Sequence, residues 1–278
     1  MTAGTLYVVA TPLGHLGDLS PRAAEVLRTV PVVAAEDTRR SRALLSHLDA
    51  HPKLVSYHAH AGEGRAELLL EILQDGRDVA LVTDAGTPAV SDPGAALVAA
   101  VRSAGVVVVP IPGPSAVATA LSAAGLPADR YCFLGFVPRK GSERRRLLAR
   151  AAAEEWTTVF FEAPGRLRDL LSDLAEVAGA DREAVVAREL TKMHEEIRAG
   201  TLGALLLHYG EEGPRGEVTV LLRGTGEPPP EPDRTEESVA MARELLASGH
   251  TRKETVREVV ERLGIPRNDA YRMVMDLE

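Results

Sequence analysis

The sequence has little that would support disulfide, cysteine–zinc or membrane-spanning structure. It contains a single cysteine, Cys132, which excludes an intrachain disulfide and a zinc site built from cysteines alone. No uninterrupted apolar run approaches the roughly 18 residues that cross a bilayer, and the N-terminus enters a predicted strand almost at once, without a signal peptide. We therefore expect a soluble, cytoplasmic protein in a reducing compartment.

Several common catalytic motifs are also missing. No G-x-G-x-x-G follows the first predicted strand and no G-x-x-x-x-G-K-[ST] occurs, which argues against nicotinamide and nucleoside triphosphate sites. The eight histidines form no H-E-x-x-H, and Ser115 does not lie in G-x-S-x-G, so the motifs indicate neither a metal nor a serine nucleophile. The net charge is −8, so a nucleic acid would have to meet a local basic patch.

What the sequence does contain is a regular alternation of short apolar strands with helices. Predicted strands at residues 6–10, 32–35, 54–57, 79–83 and 106–109 are typical of an α/β domain with a mostly parallel sheet. Further strands are predicted at residues 131–136, 157–161, 184–190 and 218–222. We predict α/β domains at residues 1–114 and 115–226, a stiff Pro-rich linker at 227–234 and a helical extension at 235–278.

Two loops between residues 79 and 116 indicate a ligand site. Asp84-Ala85-Gly86-Thr87-Pro88 follows one apolar strand, and Pro110-Ile111-Pro112-Gly113-Pro114-Ser115 follows the next. Ligands of open α/β sheets bind outside the carboxyl ends of neighbouring strands, where glycine lets the backbone approach closely and proline fixes the loop. Ordinary turns favour the same residues. The occurrence of two such loops favours a binding cleft, which we expect between the two α/β domains.

A basic run begins after the strand at 131–136. Residues 138–150 hold six Lys and Arg against one Glu. Such a run can be a solvated helix face or a patch that contacts phosphate, and on an acidic protein the second interpretation is favoured.

The C-terminal helical patterns at residues 235–247, 252–263 and 267–277 leave two interpretations. The turn Gly264-Ile265-Pro266 between the last two resembles that of a helix-turn-helix, which would suit a DNA-binding regulator whose α/β part senses a ligand. Residues 230–278, however, carry eight Lys and Arg against eleven Asp and Glu, a poor footprint for duplex DNA. A small helical bundle explains the pattern equally well.

Longer motifs carry a family resemblance. They are residues 6–20, Ala35-Glu36-Asp37-Thr38-Arg39, Asp84-Ala85-Gly86-Thr87-Pro88 with Ser91-Asp92-Pro93-Gly94, residues 110–116, residues 188–196 and residues 216–218. In this order they resemble the tetrapyrrole (corrin/porphyrin) methylase family, most closely its branch of ribosomal small-subunit RNA 2′-O-methyltransferases. The resemblance covers about residues 1–225, and the helical tail looks like that branch's C-terminal extension. One departure is His15, where the branch usually has Asn.

The resemblance implies a homodimeric two-domain methylase with S-adenosylmethionine in the interdomain cleft. Its implied reaction is methyl transfer to the 2′-hydroxyl of a decoding-centre cytidine in the 16S rRNA of the small ribosomal subunit. Carried over by position, the cofactor contacts would be Pro12, Gly14, Asp84, Gly86, Thr87, Ser115, Ala116, Glu162, Leu190 and Thr219. With RNA as the substrate, the basic run would bind it through Arg139, Lys140, Arg144, Arg145 and Arg146.

The implied reaction also calls for a proton acceptor, because a ribose hydroxyl is a weak nucleophile. The candidates are Asp37, Glu36, Glu189 and His15. We favour the Glu36-Asp37-Thr38-Arg39 loop, with Arg39 orienting the carboxylate or holding phosphate; catalysis by alignment alone, with water taking the proton, is the alternative. The rival enzyme is a precorrin or uroporphyrinogen methyltransferase, which shares the fold and cofactor but methylates a small acidic macrocycle.

Overall fold

The structure, a computed structural model, describes residues 2–58, 63–210, 216–226, 235–263, 265 and 267–277. The Pro-rich linker predicted at 227–234 lies outside the described residues, and so do Gly264 and Pro266 of the predicted tight turn. The contacts between Cα atoms divide the chain into two compact units, Met1–Glu227 and Pro228–Glu278.

The first part of unit one is a five-stranded parallel sheet with the order β3-β2-β4-β1-β5. Its inner strands are apolar on both faces, which is why they appear in the sequence as continuous hydrophobic runs, and the prediction of a mostly parallel sheet is confirmed. The strands are Thr5–Val9 (β1), Val32–Ala35 (β2), Lys53–Ser56 (β3), Val79–Val82 (β4) and Val107–Ile111 (β5), joined by helices Pro21–Thr29 (α1), Thr38–His47 (α2), Glu63–Gln74 (α3) and Ala95–Ser103 (α4).

The direction of each crossover decides which face a helix covers. After β1 and β2 the chain moves towards the β3 edge, whereas after β3 and β4 it moves towards β5. Because such crossovers are right-handed, α1 and α2 cover one face and α3 and α4 the other. Two separate apolar clusters agree with this, one holding Leu27 of α1 with Val33, the other Leu73 of α3 with Leu81.

The second sheet is mixed, with the order β6-β7-β10-β8-β9, and only β6 and β7 pair in parallel. Three helices pack on one face around Phe160 and Leu174, whereas helix Ala116–Ala124 (α5) packs on the other against Val185 and Leu221. The strands are Tyr131–Phe136 (β6), Thr157–Glu162 (β7), Glu183–Arg188 (β8), Glu196–Thr201 (β9) and Val218–Leu222 (β10), and the three helices are Gly141–Ala153 (α6), Leu167–Ala178 (α7) and Leu202–Tyr209 (α8).

Two details of the second sheet correct the sequence prediction. The strand predicted at 184–190 ends at Arg188, because Glu189 and Thr191 take φ values of 50° and 63°, which a strand does not accommodate. Strand β9 was not predicted. It lies at the sheet edge with no buried residue in its six positions, so it lacks the apolar alternation that identifies a half-buried strand.

The second unit contains helices Thr235–Ala247 (α9), Arg252–Leu263 (α10) and Arg267–Asp276 (α11), around an apolar cluster that includes Ala242, Val259 and Val274. The predicted capping box is confirmed, since the Thr251 amide donates to Glu254 at 2.9 Å and the Glu254 amide donates to the Thr251 hydroxyl at 3.3 Å. Within the described residues, no helix is both long and apolar enough to cross a membrane.

Candidate active site

The loops after β1 and β4 lie side by side at the carboxyl ends of adjacent strands. The Thr11 amide donates to the Gly86 carbonyl at 2.9 Å and the Gly86 amide donates to the Thr11 carbonyl at 3.0 Å. Since α1 and α4 cover opposite faces, this is the point at which the direction of the crossovers reverses. In open α/β sheets a ligand binds at that switch point.

Gly86 lies where the loops after β1, β4 and β5 meet. Its φ is +86°, and a Cβ at this position would approach Leu13 Cδ2 at 3.4 Å and the Pro114 carbonyl oxygen at 3.9 Å. The neighbouring Thr87 hydroxyl donates to the same Pro114 carbonyl at 3.1 Å. The loops after β1, β4 and β5 are therefore fixed against one another before any ligand arrives.

A pocket of about 310 Å³ opens beside this junction and is lined from both sheets. Its volume is at the lower end of the range for small-molecule sites. The lining residues are Leu13, Glu36, Arg40, Asp84, Ala85, Gly86, Thr87, Val90, Ser91, Asp92, Ser115, Ala116, Phe136, Phe161, Glu162, Ala163, Pro164, Glu217, Val218 and Thr219. We call this site the cleft pocket.

The cleft pocket brings together seven of the ten residues predicted to contact a cofactor, namely Asp84, Gly86, Thr87, Ser115, Ala116, Glu162 and Thr219. Pro12, Gly14 and Leu190 are not in the lining. Leu190 is buried behind it, in the same apolar cluster as Leu13. Gly14 lies against the loop after β8, where a Cβ would collide with the side chain of Lys192.

Sequence reasoning included Glu162 and Thr219 of the second sheet but missed other pocket residues of that sheet and of the segment before α4. Phe136 and Phe161 form an edge-to-face pair with ring centroids 5.5 Å apart, and Glu217 precedes β10. Val90, Ser91 and Asp92 lie in the segment before α4. Ser91-Asp92-Pro93-Gly94 and residues 216–218 are both part of the motif set, so Ser91, Asp92 and Glu217 had a signal in the sequence. Phe136, Phe161 and Val90 had none in that set.

The polar lining of the cleft pocket is acidic. Glu36, Asp84, Asp92, Glu162 and Glu217 contribute carboxylates, and Arg40 is the one basic residue that its lining includes. Asp84 Oδ1 accepts from the Asp37 amide at 3.0 Å, and its Oδ2 lies 3.5 Å from Arg40 Nε. Such a lining attracts a cation and hydroxyl donors, and it repels an anion.

Asp92 has a carboxyl group suited to proton transfer near neutral pH. Burial, followed in size by the lowering effect of a hydrogen bond from Thr83 and the raising effects of Glu36, Asp84 and Glu217, brings its pKa to about 6. The Thr83 hydroxyl also donates to Glu36 Oε2 at 2.9 Å. Because a hydroxyl has one proton, it can stabilise only one of these two carboxylates at a time.

The backbone around Asp92 is strained. Ala89 and Ser91 have φ values of 68° and 62°, a region that non-glycine residues with a Cβ rarely adopt. Strain of this kind persists where the surrounding structure enforces it, and it is concentrated at ligand sites. The segment that presents Asp92 to the pocket is therefore held in place by its surroundings.

The residues that the sequence analysis favoured as bases are placed differently. Glu36 lines the cleft pocket, whereas Asp37, Arg39 and Glu189 do not. Asp37 caps α2, accepting the Arg39 amide at 2.8 Å and the Arg39 guanidinium at 2.9 Å; the Arg39 hydrogen bonds lower its pKa to about 2. The helix that it caps was not predicted, because seven of its ten residues are polar and its first five form a continuous polar run.

Glu189 and His15 are also engaged by neighbouring groups. Lys192 donates to Glu189 Oε1 at 2.9 Å and lowers the pKa of that carboxyl, while the Glu217 amide donates to the same oxygen at 3.1 Å. The His15 Nδ1 accepts from the Gly17 amide at 3.1 Å and caps the short 3-10 helix Leu16–Asp18. These contacts give both side chains structural roles at the loops that flank the pocket.

The basic run lies on α6 and the loop before it. Four of the residues predicted to bind RNA are exposed, namely Arg139, Lys140, Arg145 and Arg146. Arg144 differs, because only 7% of the residue is exposed. Its Nε donates to Asp173 at 2.7 Å and its Nη1 donates to the Pro138 carbonyl at 3.0 Å. Arg144 therefore braces the loop before α6, and its contact with RNA stays a prediction.

No group of three or more His, Cys, Asp or Glu side chains is arranged to hold a metal ion in the part of the chain that the structure describes.

Comparison with known proteins places the chain among methylases. Residues 5–206 match the sequence profile of the Tetrapyrrole (Corrin/Porphyrin) Methylases. A protein of Synechocystis sp. named ribosomal RNA small subunit methyltransferase I is 44% identical over 276 residues, which is 99% of either chain. A protein of the same name from Pseudomonas aeruginosa is 43% identical over 277 residues, 99% of this chain and 98% of that one.

Among solved structures, the chain is similar to uroporphyrin-III-C-methyltransferase from Thermus thermophilus. The TM-score is 0.56 at 24% identity, covering 78% of this chain and 94% of that one. At this identity the similarity concerns the fold.

Proposed function

Since the chain belongs to the tetrapyrrole (corrin/porphyrin) methylase family, we propose that it is an S-adenosylmethionine-dependent methyltransferase that acts on ribosomal RNA. The proposed acceptor is the 2′-hydroxyl of a cytidine in the decoding centre of 16S rRNA. RNA is proposed as the substrate because two relatives named ribosomal RNA small subunit methyltransferase I match 99% of the chain. Their similarity continues beyond residue 206, where the match to the methylase profile ends.

The residues of the cleft pocket fit S-adenosylmethionine. Its sulfonium and ammonium groups are positively charged, and carboxylates dominate the polar lining of the pocket. Phe136, Phe161 and Val90 supply apolar surface in the same lining, which suits the adenine ring and the thioether carbons. When bound, the cofactor would supply an electrophilic methyl group on a sulfonium sulfur, with a neutral thioether as the leaving group.

The contribution of the protein is mainly alignment. The loops after β1, β4 and β5 are joined by the Thr11–Gly86 bridge and by the hydrogen bond from Thr87 to Pro114. Asp84 is oriented by the Asp37 amide and by Arg40. Holding both reactants in line saves the entropy that a collision in solution would lose, and a rigid lining maintains that geometry.

We infer that Asp92 accepts the proton of the ribose hydroxyl during transfer of the methyl group to the hydroxyl oxygen. With a pKa of about 6, this carboxylate is ionised at neutral pH yet is a better base than an ordinary aspartate. Asp37 was favoured from the sequence, but its pKa of about 2 makes it a weak base and its side chain caps α2. Glu36, which shares the Thr83 hydroxyl with Asp92, is the second candidate.

The exposed cations of the basic run supply the proposed RNA contact. Arg139, Lys140, Arg145 and Arg146 are exposed at the start of α6, where they can meet the phosphate backbone. A homodimer remains part of the proposal on the strength of the family resemblance, and a ribosomal substrate would place the protein in the cytoplasm.

The proposal is tested by offering one preparation two classes of acceptor with methyl-labelled S-adenosylmethionine. Small ribosomal subunits from cells that lack this methylation, and separately uroporphyrinogen and precorrins, are incubated with the protein. We expect label in the ribosomal RNA and none in the macrocycles. Label in a macrocycle alone would identify a tetrapyrrole methyltransferase and refute the RNA proposal. A third arm with duplex DNA tests the regulator hypothesis, for which sequence-specific binding at moderate salt would be required.

A further inference from the structure

A second pocket, of about 380 Å³, lies at the N-terminal end of α6. Five cationic side chains line it, together with two acidic ones and Gly141 and Ser172. We call it the α6 pocket. The cations are Arg139, Lys140, Arg144, Arg145 and Arg166, and the acids are Asp169 and Asp173. Arg166 is not part of the basic run, because it comes from the turn between β7 and α7.

The end of α6 adds main-chain donors to these cations. The residue before the helix, Lys140, makes no capping hydrogen bond with its side chain, so the amides of the first turn have no partner from the cap. Gly141 has a φ of +92°, and a Cβ placed on it would meet no atom within 4 Å. The space in front of the helix end is therefore open, and the helix dipole favours an anion there.

The cations of the α6 pocket fall into two layers. Arg139, Lys140 and Arg145 are exposed, and none of them forms an ion pair with a carboxylate among the residues that the structure describes. Arg144 and Arg166 lie beneath, and each is bonded to a carboxylate, Asp173 and Glu162 respectively. The inner layer is therefore neutralised, whereas the outer layer has positive charge with no partner in the described structure.

The inner layer nevertheless keeps unused donors. Arg144 Nη2 and Arg166 Nη1 are buried and have no hydrogen-bond partner in the described structure. A buried guanidinium nitrogen without an acceptor is unfavourable. Glu162 Oε2 is also buried without a hydrogen-bond partner and lies 3.9 Å from Arg144 Nη1, so the inner layer is close to neutral and yet keeps free N–H donors.

We propose that the α6 pocket binds one phosphate group of the RNA backbone, through Arg139, Lys140, Arg145 and the amides at the start of α6. The inference rests on the proposed function for its ligand, since it names the part of the RNA substrate that is held here. It also assigns different roles within the basic run: Arg146 and Arg150 are on the same helix but do not line the α6 pocket.

The position of the α6 pocket gives this phosphate a role in placing the substrate. Glu162 lines the cleft pocket, and its carboxylate is bonded to Arg166, which lines the α6 pocket. One ion pair thus separates the two sites. A phosphate held at α6 fixes the RNA strand at a set distance from the methyl donor, as alignment catalysis requires.

The first experiment uses inorganic phosphate as the probe, so that it does not depend on the RNA substrate. The melting temperature of the full chain is measured in phosphate and in chloride at equal ionic strength and pH. We expect phosphate to raise the melting temperature of the wild type, because an anion that binds the folded state stabilises it. The rise should be lost in Arg139→Ala/Arg145→Ala and increased in Asp169→Asn, which removes a negative charge from the pocket.

The matched control is Arg150→Ala/Arg168→Ala. These two arginines are exposed on α6 and α7 but lie outside the lining of the pocket, so the control removes the same amount of charge from neighbouring surface positions. The phosphate-induced rise should persist in this variant. Equal loss in both double variants, or no phosphate-induced rise in the wild type, would overturn the inference of a built site.

The second experiment measures methyl transfer to small ribosomal subunits. We expect Arg139→Ala/Arg145→Ala to raise KM for subunits about tenfold, with the dissociation constant for S-adenosylmethionine unchanged, and to flatten the dependence of RNA affinity on salt by roughly one phosphate contact. An unchanged KM and salt slope would refute the assignment to an RNA phosphate. Phosphate binding at this pocket without any methylation of ribosomal RNA would retain an anion site and refute the proposed function instead.

Discussion

Replacement of Asp92 by asparagine tests the proposed proton acceptor most sharply. Asn keeps the size of the side chain and its ability to hydrogen-bond Thr83, but it cannot accept a proton. Burial raises the pKa of Asp92 to about 6, so in the wild type kcat/KM should rise about tenfold per pH unit below pH 6 and level off above it. In Asp92→Asn this rise of kcat/KM with pH should disappear. The rate at neutral pH should fall by about 10²-fold or more, which is the usual contribution of a general base.

The assay is single-turnover methylation of small ribosomal subunits between pH 5 and 8, with cofactor binding measured at each pH. Asp37→Asn is the matched control. A base with a pKa of about 2, such as Asp37, would give a flat profile over this range, so the two assignments make opposite predictions. If the rise of kcat/KM with an apparent pKa near 6 persists in Asp92→Asn, our reasoning is refuted. The role of proton acceptor would then move to another group of the pocket, first of all Glu36.

The remaining predictions concern the framework of the site. In Gly86→Ala the new residue must hold φ near +86°, which costs about 1–2 kcal/mol for a residue with a Cβ. Calorimetry should show that the variant binds S-adenosylmethionine about 5- to 30-fold more weakly. Unchanged affinity would contradict the claim that the loops after β1, β4 and β5 are held rigidly at Gly86. Asp37→Ala should lower the melting temperature at pH 7, because α2 loses its cap, whereas Asp37→Asn should largely restore it. The folded-state pKa of Asp37 lies below its ordinary value, so the stabilisation by its charge is present above about pH 4 and is lost as the pH falls through about 2. At pH 2, Asp37→Asn and the wild type should therefore melt at similar temperatures. Leu174→Ala, at a fully buried position of α7, should lower the free energy of unfolding by about 2–5 kcal/mol in urea; Val177→Ala, on the exposed side of that helix, should change it by about 0.5 kcal/mol or less.

The inner strands of the parallel sheet were predictable because they are largely buried and their sequences are solidly apolar. The pattern failed for two elements that bury few residues. Helix α2 buries only Ser41 and Leu45, and β9 buries none of its residues. Neither presents the hydrophobic period that identifies a helix or a strand. Neither element was therefore predicted, although α2 orders the Glu36-Asp37-Thr38-Arg39 motif.

The site was predictable as far as its loops are encoded locally. Glycine, proline and aspartate at the ends of strands mark Asp84, Gly86 and Ser115 correctly as neighbours of one pocket. The properties of Asp92 were not predictable in this way, because its raised pKa arises from burial and from carboxylates on three other segments. Arg166 was missed for the same reason, since only the folded chain brings it beside the start of α6.

The central claim is that the cleft pocket directs a methyl group to a sugar of small-subunit RNA. Mass mapping of 16S rRNA tests it most directly, after small subunits from methylation-deficient cells have been incubated with the purified protein and a cofactor that carries a deuterated methyl group. The account predicts one labelled nucleotide, a cytidine of the decoding centre, with the label on its ribose. Label on a base would contradict this account. So would the absence of label from the RNA when the protein is well folded and binds the cofactor.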